Sequence, residues 1–225
     1  LTDVRDLSAS WALRLAAFES GAYESWMLLY LLHTCPFGHR AAMVVREKNL
    51  HVELRFYEPG KRPPELDAVG PRAKSPTIFD GETRVYDSAV VLEYLEERYS
   101  QPALMPKDVS QRASVRMLIA RYNDEIGSTY SALLTEIVFK KERDEAKIAE
   151  VKKAFLDALV PWNEYFKGRT YAVGDALSLA DITLYTFFPS VKAHANLDVP
   201  PELTHLRAWH DRMKSRPSAE VPSPA

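Results

Sequence analysis

The longest uninterrupted apolar run in the chain, Trp26–Leu32, is only seven residues long. A membrane-spanning helix needs about 20 such residues and a buried helix at least about 10. The run therefore reads as an interior strand, apolar throughout because both of its faces are covered. Cys35-Pro36 follows almost at once. Proline suits the first position of a helix, where its missing N–H costs nothing, and the helix predicted there carries Ala41, Val44, Val45 and Lys48 and stops near Asn49. His51–Tyr57 alternates Val52, Leu54 and Phe56 with Glu53, Arg55 and Tyr57, the pattern of a second strand. Pro59 to Pro71 leaves room for a short helix around Glu65–Val69. Thr77–Phe79 and Thr83–Tyr86 flank the hairpin turn signal Asp80-Gly81. Asp87-Ser88 supplies caps for a helix over Ala89–Tyr99, with Val90, Val91, Tyr94 and Leu95 on one face. The order β-α-β-α-β-β-α describes a small α/β unit with about four strands.

Beyond it the pattern changes. Ser100–Ser110, with Pro102 and Pro106, is a linker. Val115, Leu118, Ile119, Tyr122, Ile126, Tyr130 and Leu133 then repeat at helical spacing. Lys140–Lys153 reads as a solvated, ion-paired helix face, continued by Phe155, Leu159, Trp162 and Phe166. Ser178 and Asp181 form a capping-box pattern ahead of Ile182–Phe188, and a last helix spans Glu202–Arg216. The predicted organisation is an N-terminal extension over 1–25, an α/β domain over 26–99, a linker over 100–110, an all-α domain over 111–218 and a tail over 219–225. The extension carries Leu7, Trp11, Leu15 and Phe18 at helical spacing; its acidic balance favours packing on its own domain over contact with an anionic membrane.

Charge and cysteine usage narrow the chemistry. A net charge of −2 gives no basic field for nucleic acid. Asp3, Asp6, Glu19 and Glu24 interrupt the opening residues, which do not form a secretory leader. One cysteine permits neither an internal disulfide nor a cysteine-rich zinc site; the expectation is a cytoplasmic, metal-free protein that neither spans nor binds a membrane. That cysteine, Cys35, sits between a strand and a helix start, where unpaired amides and the helix dipole favour a thiolate. An isolated cysteine is otherwise an inert apolar residue, and its position favours the reactive reading. His39 and Arg40 lie within the next turn; each alone reads as a solvated surface residue. Ser75-Pro76 enters a strand as an ordinary edge proline or as a cis turn, the latter leaving the Ser75 backbone open to an extended peptide. Ser88 is either a plain cap or, with its neighbouring N–H groups, a seat for a ligand carboxylate.

Taken in order, Cys35-Pro36-Phe37-Gly38, Ser75-Pro76, the hairpin, Asp87-Ser88, the Ser178–Asp181 box and the Ala208-Trp209…Arg216-Pro217-Ser218 ending resemble the glutathione transferase superfamily over about residues 26–218. Cys35-Pro36-Phe37 is similar to its omega class, which uses a cysteine nucleophile. The resemblance implies a thioredoxin-like N-terminal domain plus an all-α C-terminal domain, glutathione as co-substrate, a homodimer, and an enzyme of thiol transferase or dehydroascorbate reductase type acting on a small disulfide or electrophile. It implies Cys35 as nucleophile, Phe37 beside the tripeptide and Arg62 where omega enzymes place a lysine. It further implies Ser75 pairing through its backbone beside a cis Pro76, and Asp87 (for the usual glutamate or glutamine) with Ser88 on the γ-glutamyl end. The second substrate would meet Tyr122, Ile126 and Tyr130, residues whose spacing equally fits a helix core. Glu93–Tyr99 through Ala103–Pro106 is also similar to the stringent starvation protein A group, which implies the alternative of a non-enzymatic regulator that binds RNA polymerase. Cys35, and Ser100-Gln101-Pro102 in place of that group's Pro-His-Pro, favour the enzyme.

Overall fold

A computed structural model describes residues 27–224; the expected amphipathic helix over 1–25 lies outside the described residues. Strand β1 (Met27–Leu32) pairs in parallel with β2 (Val52–Tyr57) and antiparallel with β3 (Thr77–Asp80), which continues antiparallel to β4 (Thr83–Tyr86), giving the order β2-β1-β3-β4. β1 is the central strand, which explains its unbroken apolar sequence. Met27, Leu29 and Leu31 enter the large core shared with the helices, and Leu28 and Tyr30 pack on the other face with Leu66, Ala73 and Phe79. Helix α1 (Pro36–Glu47) connects β1 to β2, α2 (Pro64–Val69) precedes β3, and α3 (Ser88–Arg98) follows β4.

The helical half comprises α4 (Val109–Leu134), which ends in a wider turn over Thr135–Phe139, then α5 (Glu145–Tyr165), α6 (Leu179–Tyr185), α7 (Phe187–Ala195) and α8 (Thr204–Lys214). Two local readings change. The charged segment turns helical only at Glu145, because Asp144 caps there, accepting from the Lys147 amide at 3.0 Å. The element expected to stop at Phe188 is two helices separated at Thr186. Pro189 falls in the first turn of α7, where proline is tolerated.

Two buried polar devices brace the fold, one between the α/β domain and the linker and one inside the helical half. Lys48, just past α1, pairs with Glu96 of α3 at 2.6 Å and donates to the Tyr99 and Pro102 carbonyls, and Glu96 accepts from the Leu104 and Met105 amides. The linker is thus fastened to the α/β domain, and its Leu104 carbonyl accepts the Leu179 amide of the helical domain at 3.0 Å. In the helical half, the capping box at Ser178 and Asp181 is formed, and the Asp181 carboxylate also accepts from the Ala172 amide and the Trp209 indole N–H.

Candidate active site

Cys35 caps α1 in an extended conformation, and its carbonyl accepts the His39 amide at 2.9 Å. Its side chain makes no capping bond, and no acidic residue lies in the first turn. The thiol therefore stands at the positive end of a helix, where an anion is favoured, and it is partly accessible. Gly38 lets this turn approach β1 and the Ser75 loop. A Cβ there would stand 2.7 Å from the Ser75 hydroxyl oxygen and 3.0 Å from the Leu31 side chain. The same hydroxyl accepts the Leu32 amide at 3.0 Å, locking the Ser75 loop to the end of β1. The Ser75–Pro76 bond is cis.

Two cavities meet at Cys35 and Phe37. The polar one, about 300 Å³, is lined also by Ser75, Asp87, Ser88, Lys74 and Asn123. The structure thus gathers five of the seven residues anticipated for the nucleophile and the glutathione site. Asp87 holds a positive φ of 71° and caps α3 by accepting the Ala89 amide at 3.0 Å, so a strained residue presents the first turn of α3 to the cavity.

Behind this wall lies Arg40, which is fully buried. This corrects the surface reading. Its guanidinium sits over the Phe37 and Phe187 rings at 4.9 and 5.3 Å. One nitrogen donates to the Ser88 hydroxyl at 3.4 Å and to the Asn123 side-chain oxygen at 3.3 Å, and the other two have no hydrogen-bond partner among the described residues. Burial lowers Arg40 to about 10, opposed by the negative charge of Cys35 and Asp87, so it remains a cation at neutral pH. A buried cation whose hydrogen bonds among the described residues go only to neutral groups is costly, and an anion in the adjoining cavity relieves that cost. The available sequence signal is that Arg40 falls on the buried stripe between Pro36 and Val44. His39 is also buried, but burial and the Arg46 charge push it down to about 4, and it lies against the backbone of Ala219 and Glu220. It adds no charge to the thiol.

The second cavity, about 340 Å³, is largely apolar. Beside Cys35 and Phe37 it is lined by Tyr130, Leu134, Val138 and Phe139 from α4 and its terminal turn, with His33, Thr34 and His194 at its polar end. Tyr130 is where the sequence placed it, its hydroxyl bonded to Ser190 at 2.8 Å. Tyr122 and Ile126 are not. Both are completely buried and line neither cavity; Tyr122 packs edge-on against Trp162 with ring centres 4.2 Å apart. They point from α4 into the helical core. Arg62 also stands apart. Its guanidinium is committed to the Leu66, Gly70 and Pro71 carbonyls and to Asp67 at the end of α2, so it fastens that loop and does not reach the cavity. A third cavity, about 600 Å³ beside Tyr185, Phe188 and His210, shares no lining residue with these two.

A mixed sheet of order β2-β1-β3-β4 carrying a helix-capping cysteine, joined to a helical bundle, defines a thioredoxin-like domain fused to an all-α domain. Residues 29–103 match the glutathione S-transferase N-terminal domain and residues 123–217 its C-terminal domain; the chain belongs to the glutathione S-transferase family. It is 28% identical to glutathione S-transferase F10 of Arabidopsis thaliana over 79% of this chain and 87% of that one. It is 24% identical to glutathione S-transferase omega-2 of Mus musculus (87% and 77%) and 26% identical to a stringent starvation protein A homolog of Coxiella burnetii (79% and 81%). Its fold superposes on the theta class enzyme of Xanthomonas axonopodis pv. citri with glutathione bound at a TM-score of 0.75 and 22% identity, covering 86% of this chain and 94% of that one. Among the described residues no helix is long and apolar enough to cross a membrane.

Proposed function

We propose that the protein is a glutathione-dependent thiol transferase with Cys35 as its nucleophile. One observation carries the reading: a thiol at the start of α1 sits where a polar and an apolar cavity meet, next to a buried cation that makes no hydrogen bond to a carboxylate among the described residues. Glutathione lies in the polar cavity. Asp87 and Ser88 hold the γ-glutamyl end, whose carboxylate faces the amides of α3. Ser75 pairs through its backbone with the cysteinyl part beside cis Pro76, and Phe37 flanks the tripeptide. The Cys35 thiolate attacks the glutathionyl sulfur of a mixed disulfide, expels the partner thiolate into the apolar cavity and forms its own disulfide with glutathione. A second glutathione then resolves it, so a single cysteine suffices.

The test is the reduction of a small glutathione mixed disulfide by wild type and Cys35→Ser. The variant should lose this activity while retaining glutathione binding. A wild-type protein that neither reduces such disulfides nor binds glutathione would overturn the proposal. Exposed Val90 on α3 and Met117 on α4, at 53% and 71% exposure, flank the Arg116–Glu93 ion pair and support a homodimer across these helices, testable by sedimentation. A requirement for reduced glutathione supports a cytoplasmic location. A second reading, a regulator that binds RNA polymerase, draws on the similarity to the starvation protein homolog; capture of polymerase by Cys35→Ser as well as wild type would favour it.

A further inference from the structure

The polar end of the apolar cavity holds groups that binding glutathione does not use. Thr34, immediately before Cys35, has a positive φ of 59°. Its hydroxyl donates to the His33 carbonyl at 2.6 Å and lies 2.9 Å from Nε2 of His194, which reaches across from α7. A threonine hydroxyl has one proton. With that proton on the His33 carbonyl, the His194 contact must be donated by the imidazole. Nε2 therefore carries hydrogen, and in the neutral ring Nδ1 keeps its lone pair. His194 lines the same 340 Å³ cavity as Cys35.

From this placement, and resting on the thiol-transfer reading, we infer that His194 is the general base that takes the proton of the resolving glutathione thiol. The first glutathione occupies the polar cavity, so the second approaches Cys35 through the apolar one. His194 accepts its S–H proton. The resulting thiolate sulfur bonds to the glutathionyl sulfur on Cys35, and the Cys35–glutathione S–S bond breaks. Oxidised glutathione leaves, Cys35 returns as a thiolate beside Arg40, and His194 gives its proton to solvent. Charge and electrons balance without a further oxidant or reductant.

The surroundings suit this role. Among the described residues, the other titratable groups lining the cavity are Cys35, His33 and Tyr130, and no carboxylate lines it. The Tyr130 hydroxyl is bonded to Ser190, and burial raises it, so it stays protonated. Burial and the neighbouring His33 hold His194 below the usual imidazole range, which leaves it unprotonated and ready to accept at neutral pH.

Cys35 is first loaded with oxidised glutathione, and its release by reduced glutathione is followed by quenched-flow mass spectrometry from about pH 6 to about 9. A reference thiol near 8.5 is ionised only about 3% at pH 7, which caps the gain from a base at about 30-fold. His194→Gln, which retains an N–H to donate to Thr34, should release glutathione about tenfold more slowly at pH 7 and converge on wild type near pH 9. Thr34→Val keeps the imidazole but removes the acceptor that holds hydrogen on Nε2, so its profile should lie between those of wild type and His194→Gln. Superimposable profiles for wild type and His194→Gln would overturn the role of His194. Failure of wild-type Cys35 to take up glutathione would instead overturn the thiol-transfer reading beneath it.

Discussion

Replacing Arg40 with Met should weaken the thiol without weakening the fold. Arg40 is fully buried, two of its nitrogens have no hydrogen-bond partner among the described residues, and burial lowers it from 12.5 to about 10. Keeping it charged thus costs the native state roughly 3 kcal/mol. Against that stand its two ring contacts, each worth about 0.5–2 kcal/mol. A methionine of similar length removes both terms. The expected change in stability runs from a loss of about 1 to a gain of about 2 kcal/mol, or a melting shift between about −4 and +8 °C at 2–4 °C per kcal/mol for a chain of this size. The thiolate loses its buried neighbour, and each ~1.4 kcal/mol of lost attraction lowers a rate tenfold. Alkylation by iodoacetamide at pH 7 should fall about tenfold. The two measurements are thermal denaturation and alkylation kinetics on the same preparations. A loss of more than about 3 kcal/mol with unchanged alkylation would refute the reasoning, because Arg40 would then be a structural residue.

Three further outcomes follow from the polar anchors. Lys48→Met strands the Glu96 carboxylate and should cost about 3–5 kcal/mol, read as a melting point lower by about 6–20 °C; no change would show that the pair does not hold the linker. Asp181→Ala removes the acceptor of four hydrogen bonds from Ala172, Ser178 and Trp209 and should destabilise by at least about 3 kcal/mol in urea titrations, since several buried donors lose their partner. Burial alone would raise Glu47, but its bonds to Arg216 and Ser218 outweigh this and hold it below the usual carboxylate range. Its contribution is therefore complete above the unfolded carboxyl value near 4.5 and is lost as pH falls through the lower folded value. Hydrogen exchange of residues 216–221 should rise over that window in wild type, and Glu47→Gln should remove the transition.

The sheet and the placement of Cys35 at a helix start are legible in the sequence because local rules decide them. An unbroken apolar run specifies a doubly covered strand, Cys-Pro marks a helix start, Asp-Gly marks a hairpin, and Ser178 with Asp181 marks a helix cap. What could not be read was direction around a helix and pairing across the chain. Tyr122, Ile126 and Tyr130 share one apolar periodicity, yet only Tyr130 faces the cavity, because α4 also lies against α5 and α6. Arg62 resembles a ligand residue by position, but the Leu66, Gly70 and Pro71 carbonyls around the end of α2 claim its guanidinium. Arg40 reads as a surface residue in the sequence because a charged side chain is seldom fully buried. His194 joins the site through a contact 160 residues away in sequence, on a helix that Pro189 disguised.

The most direct measurement follows glutathione adduct formation on Cys35 by intact mass after adding oxidised glutathione at pH 7, for the native protein and for the same chain unfolded in urea. The native thiol should react about tenfold faster or more, and the adduct should be released by reduced glutathione. A native rate no higher than that of the unfolded chain would mean that the helix start, Arg40 and the two cavities do nothing for this sulfur.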